Sequence, residues 1–205
     1  MNKTILTISG LLTALSLYSQ PDEKKVMEYS GKWSILSGLL QPVLLQGFNI
    51  AGTYLGERFT FEYSHGMYLK YPSLVRKDNG LTYLNSLYST GPGVGYRFKK
   101  TLDLRFEVKV HQYEAGLNVT QSVKYTNLDC GFGIYSRRYI FRRKENGLKP
   151  FFLEHSFRYW QNIYSTLENG EIAYIDNMGK SRVHKPHNIG FFYNLSLGYT
   201  FGLNN

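Results

Sequence analysis

The amino-acid sequence predicts an all-β fold, an antiparallel up-and-down transmembrane β-barrel of about eight strands. The first observation is the stretch Leu102–His111, where apolar and ionisable residues alternate without a fault. Successive side chains of a strand lie on opposite faces, so one face is wholly apolar and the other wholly ionisable. The second observation is that neighbouring segments repeat the alternation with apolar faces rich in Tyr and Phe. Together they favour an apolar face towards lipid and charges inside a closed ring of strands.

The composition supports the same fold class. Aromatic residues make up 16% of the chain although the hydrophobic total is only 42%, and a barrel uses Tyr and Phe in belts at both membrane interfaces. After Gln20 no stretch approaches the ~18 continuous apolar residues of a membrane helix, which leaves strands as the way to span a bilayer. A soluble lipocalin-like barrel, with the aromatic faces inside, remains an alternative.

The N-terminus has the pattern of a secretory signal peptide over residues 1–19. Lys3 precedes an apolar core from Ile5 to Leu17, and the small Ser19 precedes a polar stretch. We expect cleavage after Ser19 and a single barrel domain over residues 20–205. A Cys at the cleavage region is missing, so a lipoprotein is not predicted; the single Cys130 excludes an intramolecular disulfide.

The first strand is the least regular. Trp33–Leu40 is a weak strand candidate, and Ile35–Leu45 is alternatively a short helix. The alternation is clearer afterwards and predicts strands at Val43–Leu55, Phe59–Leu69, Tyr88–Lys99, Leu102–His111, Lys124–Phe141, Pro150–Ile163 and His187–Gly202.

The connections alternate in length, which favours a strand before Val43 and an even strand number. Short turns are predicted at Gly56–Arg58 and Lys100–Thr101, and a basic turn at Arg142–Lys149. Loops are predicted at Lys70–Leu87, Glu114–Val123 and Tyr164–Pro186, the last with a projecting hairpin of Glu171–Asp176 and Lys180–His184. Short periplasmic turns, longer external loops and two periplasmic termini are typical of an outer-membrane barrel.

The signal peptide, the alternating aromatic strands and the terminal Leu197-Gly198-Tyr199-Thr200-Phe201 resemble small outer-membrane barrels of Gram-negative bacteria, the OmpA/OmpX-like class. The resemblance implies a location in the cell outer membrane. One departure is that four residues, Gly202–Asn205, follow Phe201, whereas many members end on the aromatic residue.

Ten ionisable residues are predicted to point into the lumen: Glu62, Asp103, Arg105, Glu107, Lys109, His111, Asp129, Arg137, Glu154 and Arg158. An eight-stranded barrel is just wide enough for side chains to fill it, and buried charges need partners. The network is therefore either a polar plug that fixes strand register or a narrow ion path, and the barrel width favours the plug. Glycines on the same face leave room for large side chains such as Arg158, Trp160 or Phe192; they are Gly93, Gly95, Gly131, Gly133, Gly190 and Gly198.

The sequence contains few candidate catalytic residues. Some barrels of the resembled class are lipid A deacylases, in which His and Ser are separated by one residue. In Glu154-His155-Ser156 the His and Ser are adjacent and point to opposite faces, and Ser64 and His65 fail in the same way. An enzyme would need Ser and His from different strands. We expect no catalysis and no cofactor, and we interpret His184 and His187 as solvated loop residues and not as metal ligands.

The formal charge of +9 raises the question of partners. No recognition-helix pattern accompanies the Lys and Arg residues, so we expect no nucleic acid. The predicted partners are outer-membrane lipid, lipopolysaccharide and an extracellular ligand of unassigned identity, bound by a monomer. The loop residues predicted to make these contacts are Arg76, Lys77, Lys180, Arg182 and Lys185. The sequence thus predicts a structural or surface-interaction role; a narrow channel and a lipid A-modifying enzyme are the alternatives.

Overall fold

A computed structural model describes residues 31–71, 81–99, 101–140, 150–186 and 189–201. The predicted signal peptide, the predicted basic turn Arg142–Lys149 and the candidates Arg76, Lys77 and His187 lie outside the described residues.

Eight strands form a closed antiparallel barrel, which confirms the predicted fold class. Around the barrel the order is β1-β10-β7-β6-β5-β4-β3-β2, so neighbours in the chain are neighbours in the sheet. The exception is a separate two-stranded hairpin, β8–β9, inserted between β7 and β10. The barrel strands are β1 (Lys32–Gly38), β2 (Phe48–Leu55), β3 (Phe59–Lys70), β4 (Tyr83–Lys99), β5 (Leu102–Gly116), β6 (Ser122–Ile140), β7 (Phe151–Ser165) and β10 (Gly190–Thr200). The hairpin strands are β8 (Ile172–Ile175) and β9 (Ser181–His184).

The barrel has two different ends. The turn end holds the start of β1, the end of β10 and the β2–β3, β4–β5 and β6–β7 connections. The loop end holds the other connections and the β8–β9 hairpin. None of the helices in the described ranges is both long and apolar enough to cross a bilayer.

The uncertain first segment contains both predicted elements. The strand β1 ends at Gly38 instead of Leu40, and the short helix α1 (Leu40–Leu44) follows it. The Gln41 side chain folds over Gly38, where a Cβ would collide with it. The predicted start of the next strand at Val43 is therefore wrong, and β2 begins at Phe48.

Two of the predicted loops are wrong in extent, because the strands around them continue past the end of the alternation. At Tyr68 the backbone enters the left-handed region (φ 55°), so Tyr68 faces outwards and Leu69 turns inwards. A second irregularity, between Ser86 and Tyr88, shifts the β4–β5 register. A bulge adds a residue to one strand and moves the following side chains to the other face. The residues of the predicted loops Lys70–Leu87 and Glu114–Val123 thus include the ends of β3, β4, β5 and β6.

The orientation of the side chains is the one that the sequence predicts. Phe106, Phe132 and Phe191 point outwards and are 51%, 58% and 68% exposed, whereas Arg105 is completely buried. A soluble barrel with the aromatic residues inside is thereby excluded.

A second core, apolar in character, lies beside the loop end. The loop-end cluster joins the last residues of β3 and β5 and the first residues of β4 and β6 to the β3–β4, β5–β6 and β7–β10 connections. Its buried members are Leu69, Tyr71, Leu81, Leu84, Tyr113, Ala115, Leu117, Tyr125, Leu167 and Tyr174.

Candidate functional site: a closed ionic lumen

Arg105 is the centre of the lumen. Its Nη1 donates to Glu62 Oε2, and its Nη2 lies 3.1 Å from Asp103 Oδ2 and 2.8 Å from Glu154 Oε2. The guanidinium also stacks over the ring of Tyr135 at 3.9 Å. The planar five-donor fork of Arg suits such simultaneous contacts, so one cation joins β3, β5 and β7.

Arg137 extends this group towards the turn end. Its Nε donates to Glu154 Oε2 at 2.6 Å, and its guanidinium lies 4.7 Å from the centre of the Phe152 ring. On the other side Thr60 Oγ1 donates to Asp103 Oδ2 at 3.0 Å. The carboxylates that meet Arg105 therefore have further partners, as buried charges require.

Glu107 is the centre of a second group. Lys109 Nζ lies 2.8 Å from Glu107 Oε2, and Arg158 Nη1 lies 3.8 Å from the same oxygen. Both cations also lie over aromatic rings, Lys109 over Trp160 at 5.0 Å and Arg158 over Phe192 at 5.4 Å.

The last two predicted lumen residues lie further towards the loop end. His111 Nε2 is 3.4 Å from Asp129 Oδ2, and Asn162 Nδ2 donates to Asp129 Oδ1 at 2.8 Å. The structure thus places all ten predicted lumen residues inside the barrel, each at most 8% exposed.

Glycines facing the largest side chains make this packing feasible. Gly133 is paired in register with Arg158, and Gly131 with Trp160. A Cβ added to Gly131 would lie 2.7 Å from the Trp160 ring, so only glycine leaves space there. The expectation for Arg158 and Trp160 is confirmed.

The expectation also holds for Gly198, and it is wrong for Gly190. A Cβ added to Gly198 would collide with the ring of Phe152, so this glycine also leaves room for a large lumen side chain. Gly190 has open space where a Cβ would be and a φ of 72°, so it serves the backbone turn into β10.

The remaining side of the lumen is lined by small polar side chains. Ser34 Oγ lies 3.0 Å from Thr200 Oγ1 across the β1–β10 seam, and Asn194 donates to Ser196 Oγ at 2.9 Å. A cavity of about 20 Å³ lies beside Asn194, Ser196 and Glu62, which is room for about one ordered water. The lumen is therefore filled.

The β8–β9 hairpin packs onto the barrel instead of projecting freely. His184 is completely buried, and its Nε2 lies 3.1 Å from Tyr125 Oη. Tyr125 stacks on Tyr113 at 5.4 Å, and Tyr113 stacks on His111 at 5.7 Å. The interpretation of His184 as a solvated loop residue is wrong, because the loop-end cluster surrounds it. Within the described ranges no group of three or more His, Cys, Asp or Glu side chains is arranged to hold a metal ion.

Two of the three described loop candidates have acidic partners. Arg182 Nε lies 3.0 Å from Asp176 Oδ2, and Lys185 Nζ lies 3.0 Å from Glu171 Oε2. The backbone N–H of Lys180 donates to Asp176 Oδ1, and this bond, together with those from Met178 and Arg182, lowers the pKa of Asp176. Of the three described loop candidates, Lys180 alone makes no ion pair with a described residue.

A polar group that the sequence did not predict lies on the outer wall. His155 Nδ1 is 2.7 Å from Tyr193 Oη on β10, and Ser136 on β6 is directly opposite His155 in register. Within the described residues, Ser136 and His155 form no hydrogen bond with one another. Glu154 and Ser156 point into the lumen, so Glu154-His155-Ser156 is divided between the two faces, as its spacing predicts.

Comparisons with known proteins include a similar solved structure. No protein-family model matches the chain, and no curated protein matches it. The structure is similar to the N-terminal β-barrel domain of Pseudomonas aeruginosa OprF, with a TM-score of 0.43 and 12% identity over 84% of this chain and 98% of that one. The fold assignment rests on the strand register of the chain itself.

Proposed function

We propose that the protein is an outer-membrane β-barrel with a closed lumen and a structural or surface-interaction role, and that it carries out no catalysis. The observation behind this proposal is the outer wall. Every barrel strand exposes large apolar side chains, among them Ile35, Phe48, Phe61, Val94, Phe106, Phe132, Phe157 and Phe191. Soluble monomers rarely expose a continuous apolar surface of this size, whereas lipid covers it at no cost.

The connections support an orientation. The β2–β3 and β4–β5 connections share one end with the start of β1 and the end of β10, and the longest connection, between β7 and β10, lies at the opposite end. Outer-membrane barrels place short turns in the periplasm and longer loops outside. We therefore assign the turn end to the periplasm and the loop end to the cell surface.

The lumen supports a closed barrel over a channel. The Arg105 and Glu107 groups occupy its middle, and the loop-end cluster packs beside its external side. The small polar residues near Asn194 are the one feature that favours a water-filled path, and the cavity there holds little more than one water.

The loop end offers a surface for contacts. A groove of about 450 Å³ lies between the β5–β6 connection and the hairpin, beside Thr120 and Asn177. Val119, Ile175 and Met178 are strongly exposed there. This surface supports binding of an extracellular ligand by a monomer, with lipopolysaccharide around the barrel.

Two measurements test this proposal. Purified protein refolded into detergent is expected to migrate differently before and after boiling, and a planar bilayer containing it is expected to stay silent. Ion conductance that changes in Arg105→Ala would contradict the closed barrel and support the channel alternative. Recovery of the native protein in aqueous extract would contradict the membrane assignment.

Labelling of intact cells tests the orientation. A Cys introduced as Met178→Cys at the loop end is expected to react with a membrane-impermeant maleimide, and Glu57→Cys at the turn end is expected to react only after lysis. The opposite result would reverse the orientation. The native Cys130, which lies half-buried in β6, provides the background control.

A further inference from the structure

The exposed charges of the turn end are almost all positive. In the described residues Arg58, Lys99 and Arg138 are exposed and Lys32 is half-buried, and Glu57 is the exposed acid among them. At the loop end, by contrast, five described cations lie among four acids, and three of the cations, Lys124, Arg182 and Lys185, form ion pairs. Among the described residues, the positive net charge is therefore larger at the turn end than at the loop end.

Aromatic side chains surround the same end. Trp33 lies beside Tyr54 at 5.1 Å, and Phe151 lies beside Tyr199 at 5.0 Å. Trp and Tyr rings prefer the level of the lipid head groups, and Lys and Arg can lay their methylene stems along an apolar wall while the charge reaches the interface. The turn end thus combines both side-chain types that anchor a protein at a phosphate layer.

A polar track leads from this end into the apolar wall. Arg138 and Ser136 point outwards from β6, two residues apart, and His155 lies opposite Ser136 on β7. Two residues of strand span ~7 Å, so Ser136 and His155 lie deeper in the membrane than Arg138. Their neighbours on the wall are apolar: Ile134, Leu153 and Leu195.

The ring of His155 has an unused nitrogen. The Nδ1 atom is hydrogen-bonded to Tyr193 Oη, and Nε2 makes no hydrogen bond or ion pair with a described residue. A polar group that faces hydrocarbon without a partner is costly. A lipid that brings oxygen atoms to this depth would remove that cost.

We propose that this track binds a glycerophospholipid with an anionic head group. Arg138 contacts the phosphate, and Ser136 and His155 bind the glycerol ester oxygens, which lie a few ångströms deeper. Arg58 and Lys99 add positive potential around the rim, which favours anionic over zwitterionic lipid. The inference rests on the proposed membrane location.

Lipid retention in native mass spectrometry tests this site. The full barrel is refolded into vesicles of phosphatidylcholine and phosphatidylglycerol in equal amounts, extracted in mild detergent, and the bound lipids are counted. Arg138→Gln is compared with Lys124→Gln, because Lys124 is an exposed cation near the opposite end of the same strand. The double variant Ser136→Ala/His155→Phe tests the deeper contacts.

The wild type is expected to retain phosphatidylglycerol preferentially, and less so at high salt. Arg138→Gln is expected to lower that preference about fivefold, the factor for one surface cation, while Lys124→Gln leaves it unchanged. Ser136→Ala/His155→Phe is expected to lower retention of both lipids equally.

Equal loss in Arg138→Gln and Lys124→Gln, or no loss in either, would overturn the head-group contact. Unchanged retention in the double variant would overturn the ester contact. Failure of the wild type to insert would instead refute the membrane location, and the lipid site with it. Heat-modifiable migration of each variant shows that it has folded.

Discussion

The barrel interior and the loop-end cluster are two cores built from different interactions. In the interior, Arg105 joins Glu62, Asp103 and Glu154, residues of three strands. In the loop-end cluster, apolar residues such as Tyr174 attach the hairpin to the ends of the strands. The ionic core therefore fixes the strands of the wall relative to each other, whereas the apolar core fixes an appendage to that wall. Damage to the first should affect the whole barrel, and damage to the second the hairpin.

The largest effect is expected for Arg105→Leu. Removal of the cation leaves the three carboxylates around it without their shared partner, which costs ~3–5 kcal/mol when a buried pair is broken. Urea unfolding in detergent micelles measures the loss. The control is Lys124→Gln, whose exposed pair with Glu114 spans 3.8 Å and is worth about 0–1 kcal/mol. Equal losses of unfolding free energy in the two variants would contradict the conclusion that the ionic core stabilises the whole barrel.

Tyr174→Ala is expected to have a large but local effect. Truncation of a buried large side chain costs ~3–5 kcal/mol at the site, and here the site is the contact between the hairpin and the barrel. Hydrogen exchange should show faster exchange in residues 172–184 and unchanged protection in β5 and β6. The matched variant Ala173→Ser, on the exposed face of the same strand, should change neither. Faster exchange throughout the barrel would show that the two cores are not separate.

His184→Phe is expected to have a smaller effect in the same region. It removes the hydrogen bond to Tyr125 Oη, which is worth ~1 kcal/mol net. Tyr125→Phe removes the same bond from the other side, so the double variant should cost less than the sum of the single ones. The losses of stability are measured by hydrogen exchange of the hairpin. If the losses of the two single variants add up to that of the double variant, this bond does not attach β9 to the barrel.

Acid should have the smallest effect, confined to the hairpin turn. The pKa of Asp176 is lowered in the folded protein, so the charged form stabilises the turn above the unfolded pKa of about 3.9. That contribution is lost as the pH falls through the lowered folded pKa. Fluorescence of a dye attached at Met178→Cys is expected to report loosening below about pH 4. Asp176→Asn should already be loosened at pH 7, and identical pH profiles for both proteins would contradict the assignment.

Alternation predicts the barrel well because its rule is local. In β5 the alternation from Leu102 to His111 predicts which side chains face the lumen and which face outwards. The structure places Arg105 and Glu107 inside, as predicted. The glycine pattern is nearly as informative, since Gly131 and Gly133 have the same spacing as Trp160 and Arg158, which they face.

The sequence is less informative where a bulge shifts the alternation of inward and outward residues, and where a contact joins strands that are far apart in the chain. The bulged positions near Tyr68 and Leu87 interrupt the alternation, so the strand ends beyond them resemble loops. The bond between His155 and Tyr193 joins residues far apart in the chain, and its existence depends on register between β7 and β10. The burial of His184 depends in the same way on where the hairpin docks.

The two tryptophans give the most direct test of the central claim, that apolar side chains face lipid and charged ones fill the lumen. Trp33 points outwards and is 61% exposed, whereas Trp160 is 4% exposed and lies over Lys109 inside. In vesicles of brominated phosphatidylcholine, fluorescence of the Trp160→Phe variant, which retains Trp33, is expected to be strongly quenched. The Trp33→Phe variant, which retains Trp160, is expected to be almost unaffected. Strong quenching of Trp160 together with unquenched Trp33 would contradict the claim, because it would place the charged face of the strands against lipid.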